Sequence, residues 1–292
     1  MTKLHREALR NRQAIPSAKE YPLISLITPC YNGRQHIMPY IHGLLSQTYP
    51  NVEFIFVNDG STDATEQTIL SFKEKFEKKG WKFIYIYQDN KGQATALNQG
   101  LKVFTGQYLT WIDSDDILFP SFLEEHVDFL EANKICGFCY GKIQFAHQRD
   151  LDKVIEVRER VVDDGAEDNF FTDLIHMRNV PALAFCVTRS SALLRVLPNR
   201  QIFTGTAGQN WQLLLPLAYH YKCGYIKKIL ACCVVRTNSH SRSTRDYRQR
   251  YDGLEKILLE TVGTIDMPKE EKQRYLDEVT LKYSLLREKL EN

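Results

Sequence analysis

Four times in its first 130 residues the chain passes from a short apolar run to a helical stretch, and few folds accept that alternation. The runs are Leu23–Thr28, Val52–Val57, Phe83–Tyr87 and Tyr108–Ile112, rich in β-branched and aromatic residues. Turn chemistry follows the first two: Pro29 with Tyr31-Asn32-Gly33, then Asn58-Asp59-Gly60. Helices are expected over about 35–47, 63–79 and 92–103, with another beginning near Pro120. Asp63 is placed to cap the second, with Glu66 at capping-box spacing. Apolar runs without alternation imply strands buried on both faces, so the class is α/β: a Rossmann-like, largely parallel sheet flanked by helices. In such sheets ligands bind beyond the carboxyl ends of the strands. Asn32, Asp59 and the carboxylates Asp113, Asp115 and Asp116 should therefore meet at one edge.

Residue chemistry at that edge narrows the options. Asp113-Ser114-Asp115 follows the fourth strand, and alternate carboxylates at a strand end can reach one cation. Oxygen donors suit Mg²⁺ or Mn²⁺, which bridge phosphate oxygens. The plainer reading is an acidic helix cap before Pro120. Gly60 permits a sharp turn, and Ser61 to Asp63 open a helix whose free N–H groups favour anions. Asp63 reads as a cap, whereas Asp59 precedes the turn and is the more informative carboxylate. Tyr31 puts an aromatic ring at the mouth of the first strand, either to stack on a base or to pack on the rim.

In chain order these segments are T-P-C-Y-N from Thr28, V-N-D-G-S-T-D from Val57, D-N-x-G-x-x-x-A-x-N-x-G from Asp89 and W-I-D-S-D-D from Trp111. As a set they resemble the inverting family 2 glycosyltransferases of bacterial type, which have the GT-A fold. The resemblance covers about the first 40% of the chain. It implies that Tyr31 stacks on uracil, that Asp59 accepts from uracil N3–H, and that Thr28 and Pro29 line the base pocket. Asn32, Gly60 and Ser114 would border the nucleotide-sugar, as would Lys91, Gly92 and Asn98. The family often has Arg where this chain has Leu97, so one donor contact would be missing. Asp113 and Asp115 would hold the metal, with Asp115 the direct ligand.

Beyond residue 135 the pattern is less regular, with short strands and a helix over Asn210–Tyr221. Thr204 to Leu214 resembles the family's acceptor-side helix start, where many members carry Glu-Asp and the Asp is the base. This chain has Gln209-Asn210, and an amide is no proton acceptor at neutral pH. Asn210 would then orient the acceptor while another group serves as base, the chain would belong to a subgroup that uses Gln-Asn in this place, or the protein would bind donor without turnover. Asp116 and His240 are the other candidates for proton transfer. Arg236 to Arg242 resembles the segment that closes over the diphosphate. There His240 could meet metal, phosphate or acceptor proton, and Arg242 the leaving diphosphate, where a guanidinium fork suits phosphate. A solvated basic loop is the plainer alternative. His36, His42, His126, His147 and His176 show no partner pattern and read as structural.

The formal net charge of +2 gives no global reason to expect nucleic acid. Charge is nevertheless uneven. Between Lys222 and Arg250 lie Lys222, Lys227, Lys228, Arg236, Arg242, Arg245, Arg248 and Arg250 against Asp246 alone. Seven cysteines, mostly inside apolar runs, fit free thiols better than disulfides. The pair Cys136 and Cys139 lacks a second spaced pair for zinc. No apolar stretch approaches the ~20 residues of a membrane span. The polar first 20 residues lack the apolar core of a signal peptide. A cytoplasmic protein is expected, touching the membrane's inner face through its basic residues, including Lys3, Arg6, Arg10, Arg12 and Lys19 of the arm.

The expected organisation is an arm over 1–20, a GT-A domain over 21–245 and a helical extension over 246–292. Within the domain, 21–120 would bind nucleotide-sugar and 121–245 acceptor. In the extension, Leu276, Val279, Tyr283, Leu286 and Leu290 form a helical stripe that packs on its own domain or on a second copy. By resemblance, the reaction moves a sugar from a UDP-sugar to the hydroxyl of a glycan such as cell-surface polysaccharide, a lipid-linked sugar or a glycoprotein. The rivals are a non-catalytic nucleotide-sugar-binding protein and a sugar nucleotidyltransferase. The latter typically has a Gly-rich loop where this chain reads Pro29-Cys30-Tyr31-Asn32.

Overall fold

The structure is a computed structural model that describes residues 20–160, 170–178, 180, 184–204, 208–236 and 247–291. The N-terminal arm, Gly205 to Ala207, and the segment with His240 and Arg242 lie outside the described residues.

The expected alternation is present as β1 (Ile24–Cys30), α1 (Ile37–Leu45), β2 (Val52–Asp59), α2 (Thr65–Leu70), α3 (Lys73–Lys78), β3 (Lys82–Gln88), α4 (Gln93–Val103) and β4 (Tyr108–Trp111). The remainder is β5 (Ile117–Leu118), α5 (Phe122–Ala132), β6 (Cys136–His147), β7 (Asp150–Arg158), α6 (Phe170–His176), β8 (Cys186–Arg189), α7 (Ser190–Val196), α8 (Gln209–His220), β9 (Lys222–Val235), α9 (Tyr247–Thr264) and α10 (Lys269–Glu291). Among the described residues one sheet runs β3-β2-β1-β4-β8-β6-β9-β5, with β7 on β6. Its first half, β3 to β4, is parallel, and antiparallel pairs enter with β8.

Both faces of β1, β2 and β4 are covered, which is why these strands read as unbroken apolar runs. Phe54 and Phe56 of β2 face a core shared with Ile37, Tyr40 and Leu44 of α1. Ile55 and Val57 face the other core, with Leu97 and Leu101 of α4. That second core takes in Ile257, Leu258 and Val262 of α9, and Val279 and Tyr283 of α10. Leu276 and Leu286 pack against it as well, while Leu290 is exposed. Most of the C-terminal stripe is thus spent on the chain's own core.

Several elements differ from the sequence reading. Pro29 does not end β1, which continues to Cys30. The carbonyl of Ile27 faces β4 and accepts from Ile112 N. By the period of two, Pro29 turns its donorless nitrogen to the same side, past Trp111, the last residue of β4 to pair with β1, so no ladder bond is lost there. The helix expected over 63–79 is two helices. Phe72 N donates to Ile69 O, a tightened step between them. The second half holds two long strands, β6 with 12 residues and β9 with 14, not short ones.

Candidate donor and metal site

β1 lies between β2 and β4, so the chain order reverses at its carboxyl end. That is the switch point at which open α/β sheets hold ligands. Tyr31 follows β1 there, half-exposed and able to stack. Two loops at this point are stapled together. Asn32 N donates to Ser61 Oγ at 3.0 Å, and Asn32 Oδ1 accepts from Thr62 N at 2.8 Å. Gly33 N donates to Thr65 Oγ1, and Arg34 N to Asp63 Oδ2. Asn32 does this with φ of +50°, a conformation Asn tolerates better than most residues. Its side-chain oxygen therefore holds the loop, and its expected contact with a ligand is left to the amide nitrogen. Asp63 differs from the expected cap: the helix is entered at Ala64 with no side-chain cap bond, and Asp63 Oδ1 instead accepts from Thr65 N at 2.9 Å in the turn before it. Thr28 is fully buried and bonded to Tyr40 Oη, so only its backbone can line a pocket.

Asp59 ends β2 almost fully buried. Its Oδ1 accepts from Lys91 N at 2.9 Å and Gln88 Nε2 at 2.6 Å, and its Oδ2 from Gly92 N at 2.9 Å. The carboxylate thus shapes the 89–92 loop as well as offering a remaining lone pair to a ligand. Gly60 has φ of +71°, and a Cβ there would fall 2.6 Å from Asn90 N, so only glycine lets the loops meet this closely. Gly92, with φ of +87°, opens α4.

Asn98 differs from expectation. It is buried, donates to Ile202 O at 2.9 Å and accepts from Ile202 N at 2.8 Å. Gln212 clamps Phe203 in the same two-bond manner. Both amides are struts for the segment that leads into α8, and Asn98, 3% exposed, presents little of its side chain to a donor. Leu97 is a core residue, which accounts for its being apolar.

Beyond β4, Asp113, Asp115 and Asp116 bring carboxylate oxygens within 4.8 Å of one another. Burial, then the charge of Asp115, pushes the Asp113 carboxyl up to about 7, and burial also raises that of Asp116 well above the usual carboxylate range. Gln93 Nε2 donates to Asp113. Ser114 is buried between them. Asp115 pairs with Arg236 at 2.5 Å, and Arg236 Nη1 lies 3.1 Å from His36 Nδ1. Carboxyl groups crowded in this way oppose one another's ionisation unless a cation is present, and hard oxygen donors this close fit Mg²⁺ or Mn²⁺. Asp116 is 5% exposed and accepts from Val234 N at 3.0 Å, which ties β4 to β9. Burial and that backbone bond give Asp116 the place of a strut and weigh against it as a base for an acceptor hydroxyl.

On the acceptor side, Asn210 Oδ1 accepts from Trp111 Nε1 at 2.7 Å. The amide joins the start of α8 to the strand that carries the carboxylates. Sequence reasoning missed Gln93, and it set His36 aside as structural although it touches Arg236. The signal for His36 was its position two residues beyond Arg34 on the β1 loop, which only the fold connects to residue 236.

A family model described as "Glycosyl transferase family 2" matches residues 25–203. The chain is 41% identical over 123 residues to an uncharacterized glycosyltransferase of Rickettsia typhi, covering 40% of this chain and 36% of that protein. It therefore spans little more than a third of that relative's length. Residues 1–349 of Staphylococcus aureus TarS, in complex with UDP-GlcNAc, superpose with a TM-score of 0.63 at 20% identity, covering 88% of this chain and 71% of that one. The mannosyltransferase PcManGT of Pyrobaculum calidifontis, in complex with GDP-Man and Mn²⁺, superposes at 0.57 and 18% identity, covering 90% of this chain and 70% of that one. The architecture shared with these structures is the GT-A fold. With that family model matching more than half of its length, the chain belongs to glycosyl transferase family 2.

Proposed function

We propose that the protein transfers a sugar from a UDP-sugar to an acceptor hydroxyl, with inversion, at the carboxyl edge of β1, β2 and β4. The observation that carries this reading is the convergence of Tyr31, Asp59 and the three close carboxylates on one switch point. Tyr31 stacks on the base and Asp59 orders the loop beneath it. Asp113 and Asp115 would hold Mn²⁺ or Mg²⁺, and a bound divalent cation would offset the charge that builds on the departing diphosphate. The acceptor oxygen bonds to the anomeric carbon as the bond to diphosphate breaks, and the proton passes to a base. TarS with UDP-GlcNAc and PcManGT with GDP-Man and Mn²⁺ support this choice of ligands.

The test is a thermal-shift series with UDP-, GDP- and dTDP-sugars, each with and without Mn²⁺. Ligand at a hundred times its Kd stabilises the folded state by about 2.7 kcal/mol. A Mn²⁺-dependent rise with a UDP-sugar is expected. A rise with GDP-sugars alone would reassign the base, and no rise with any donor would remove the reading.

Asn210 has no basic atom, so we assign proton removal to His240. In His240→Ala, kcat should fall about 10²-fold or more, the scale of general-base contributions, with donor affinity little changed. A loss confined to affinity would place His240 on the diphosphate or metal instead. The acceptor class, glycan, lipid-linked sugar or glycoprotein, is open to an acceptor array read by UDP release. No helix among the described residues is long and apolar enough to cross a membrane. Association with a membrane surface, and a dimer through α10, are further proposals, tested by vesicle sedimentation and by mass in solution.

A further inference from the structure

Arg236 occupies an unusual place. It follows directly on β9, it is about three-quarters buried, and its guanidinium reaches Asp115 Oδ2 at 2.5 Å. A second nitrogen meets His36 Nδ1 at 3.1 Å. Its third nitrogen, Nε, is buried and has no hydrogen-bond partner among the described residues. Buried N–H groups are nearly always satisfied, so an orphan donor on the side chain that neutralises a ligand carboxylate marks an arrangement that serves only part of the working cycle.

Electrostatics say what displaces it. Two cations cannot share Asp115 closely without strong mutual repulsion, and a divalent ion held by Asp113 and Asp115 would face the guanidinium at contact distance. The guanidinium must then turn away. Its fork geometry suits phosphate oxygens, and the donor's diphosphate is the phosphate group that a cation held by Asp113 and Asp115 would bring to this site. We propose that Arg236 is an exchangeable counter-cation: it holds Asp115 until a divalent cation arrives, then leaves it for the donor diphosphate, so that cation loading and diphosphate capture are coupled through one side chain. His36 is the positioning residue that keeps the guanidinium on Asp115 in the first state. This inference rests on the reading of Asp113 and Asp115 as the cation site.

The experiment is calorimetric titration of the full chain with Mn²⁺ alone, and with UDP at saturating Mn²⁺, for the wild type, Arg236→Gln, Arg236→Lys and Asp115→Asn. Removing the competitor should tighten Mn²⁺ binding by about fivefold or more in Arg236→Gln and weaken UDP by about tenfold, the scale of one charge-assisted hydrogen bond. Arg236→Lys, which keeps the charge and folds with less disturbance, should fall between wild type and Arg236→Gln on both readouts. Unchanged or weaker Mn²⁺ binding in Arg236→Gln, with Asp115→Asn still losing Mn²⁺, overturns the exchange while leaving the cation site intact. Equal Mn²⁺ titrations in wild type and Asp115→Asn would overturn the cation site and the exchange together.

Discussion

Asp115→Asn is expected to weaken Mn²⁺-supported UDP binding by at least a hundredfold while leaving the fold in place. Loss of a partner that only orients a metal ligand typically costs about 10–100-fold in affinity, and a direct ligand costs at least as much. Asp115 is the member of the trio with the most freedom to act on a ligand. Asp116 is spent on Val234 N and Asp113 is held by Gln93, whereas the only ion pair of Asp115 among the described residues is with Arg236. Asn keeps the volume and one oxygen, so packing is preserved and the charge is the variable. The check is calorimetry with UDP at fixed Mn²⁺, alongside thermal unfolding without ligand. An unaltered titration would remove Asp115 from the cation site. A large fall in unliganded Tm would mean that the ion pair with Arg236 is chiefly structural.

What the sequence made legible and what it hid follow from the range of the interactions. The strands of the parallel half were legible because burial on both faces leaves a local mark, as in Phe54-Ile55-Phe56-Val57. The candidate donor edge was legible because the topology rule converts strand ends into neighbours, and so Asp59 and Asp113 could be placed on one edge. The long strands β6 and β9 were not. Lys227 and Lys228 break the apolar pattern of β9, and the pairing with β6 shifts register near Gly141 and Lys142. An irregular ladder carries no clean period. Nor could any local pattern show that Asn98 clamps Ile202, that Trp111 reaches Asn210, or that Asp115 meets Arg236, since each pairing joins residues far apart in the chain. Amides and carboxylates look alike in sequence whether they serve a ligand or a loop. Asn98 was read as a ligand contact, and the structure gives it instead two backbone partners at Ile202, which no local pattern announces.

The same ambiguity runs along β2, which carries a buried carboxylate at each end, and the second large effect lies at its foot. Glu53 is fully buried and accepts from Ser25 Oγ at 2.8 Å, Lys82 Nζ at 2.7 Å, and Thr105 N and Oγ1 at 2.8 and 2.9 Å. Those bonds tie β1, β2, β3 and the turn before β4 together at the edge opposite the candidate site. Burial by itself would raise this carboxyl, but the donors from Lys82, Ser25 and Thr105 outweigh it and hold it below the usual range. Glu53→Ala leaves those donors without an acceptor, and should cost about 3–4 kcal/mol, the scale of breaking a buried ionic group from its partners. Because Lys82 is itself well exposed, the loss comes more from Ser25 and Thr105 than from the ion pair. For a chain of this size that is a fall in Tm of roughly 6 °C or more. A group whose carboxyl is depressed in the folded state contributes its stability above the unfolded value of about 4.3, and loses it as pH falls through the folded value. The gap between wild type and Glu53→Ala should accordingly be constant near neutrality and narrow below about pH 4. Donor affinity, measured well below the variant's Tm, should stay at the wild-type value, because Glu53 and Asp59 sit at opposite ends of the strand. Chemical unfolding across pH checks the first part and UDP titration the second. A gap that widens in acid would mean that Glu53 is protonated in the folded protein, and a lost UDP titration in a folded variant would mean that the sheet's foot is coupled to its head.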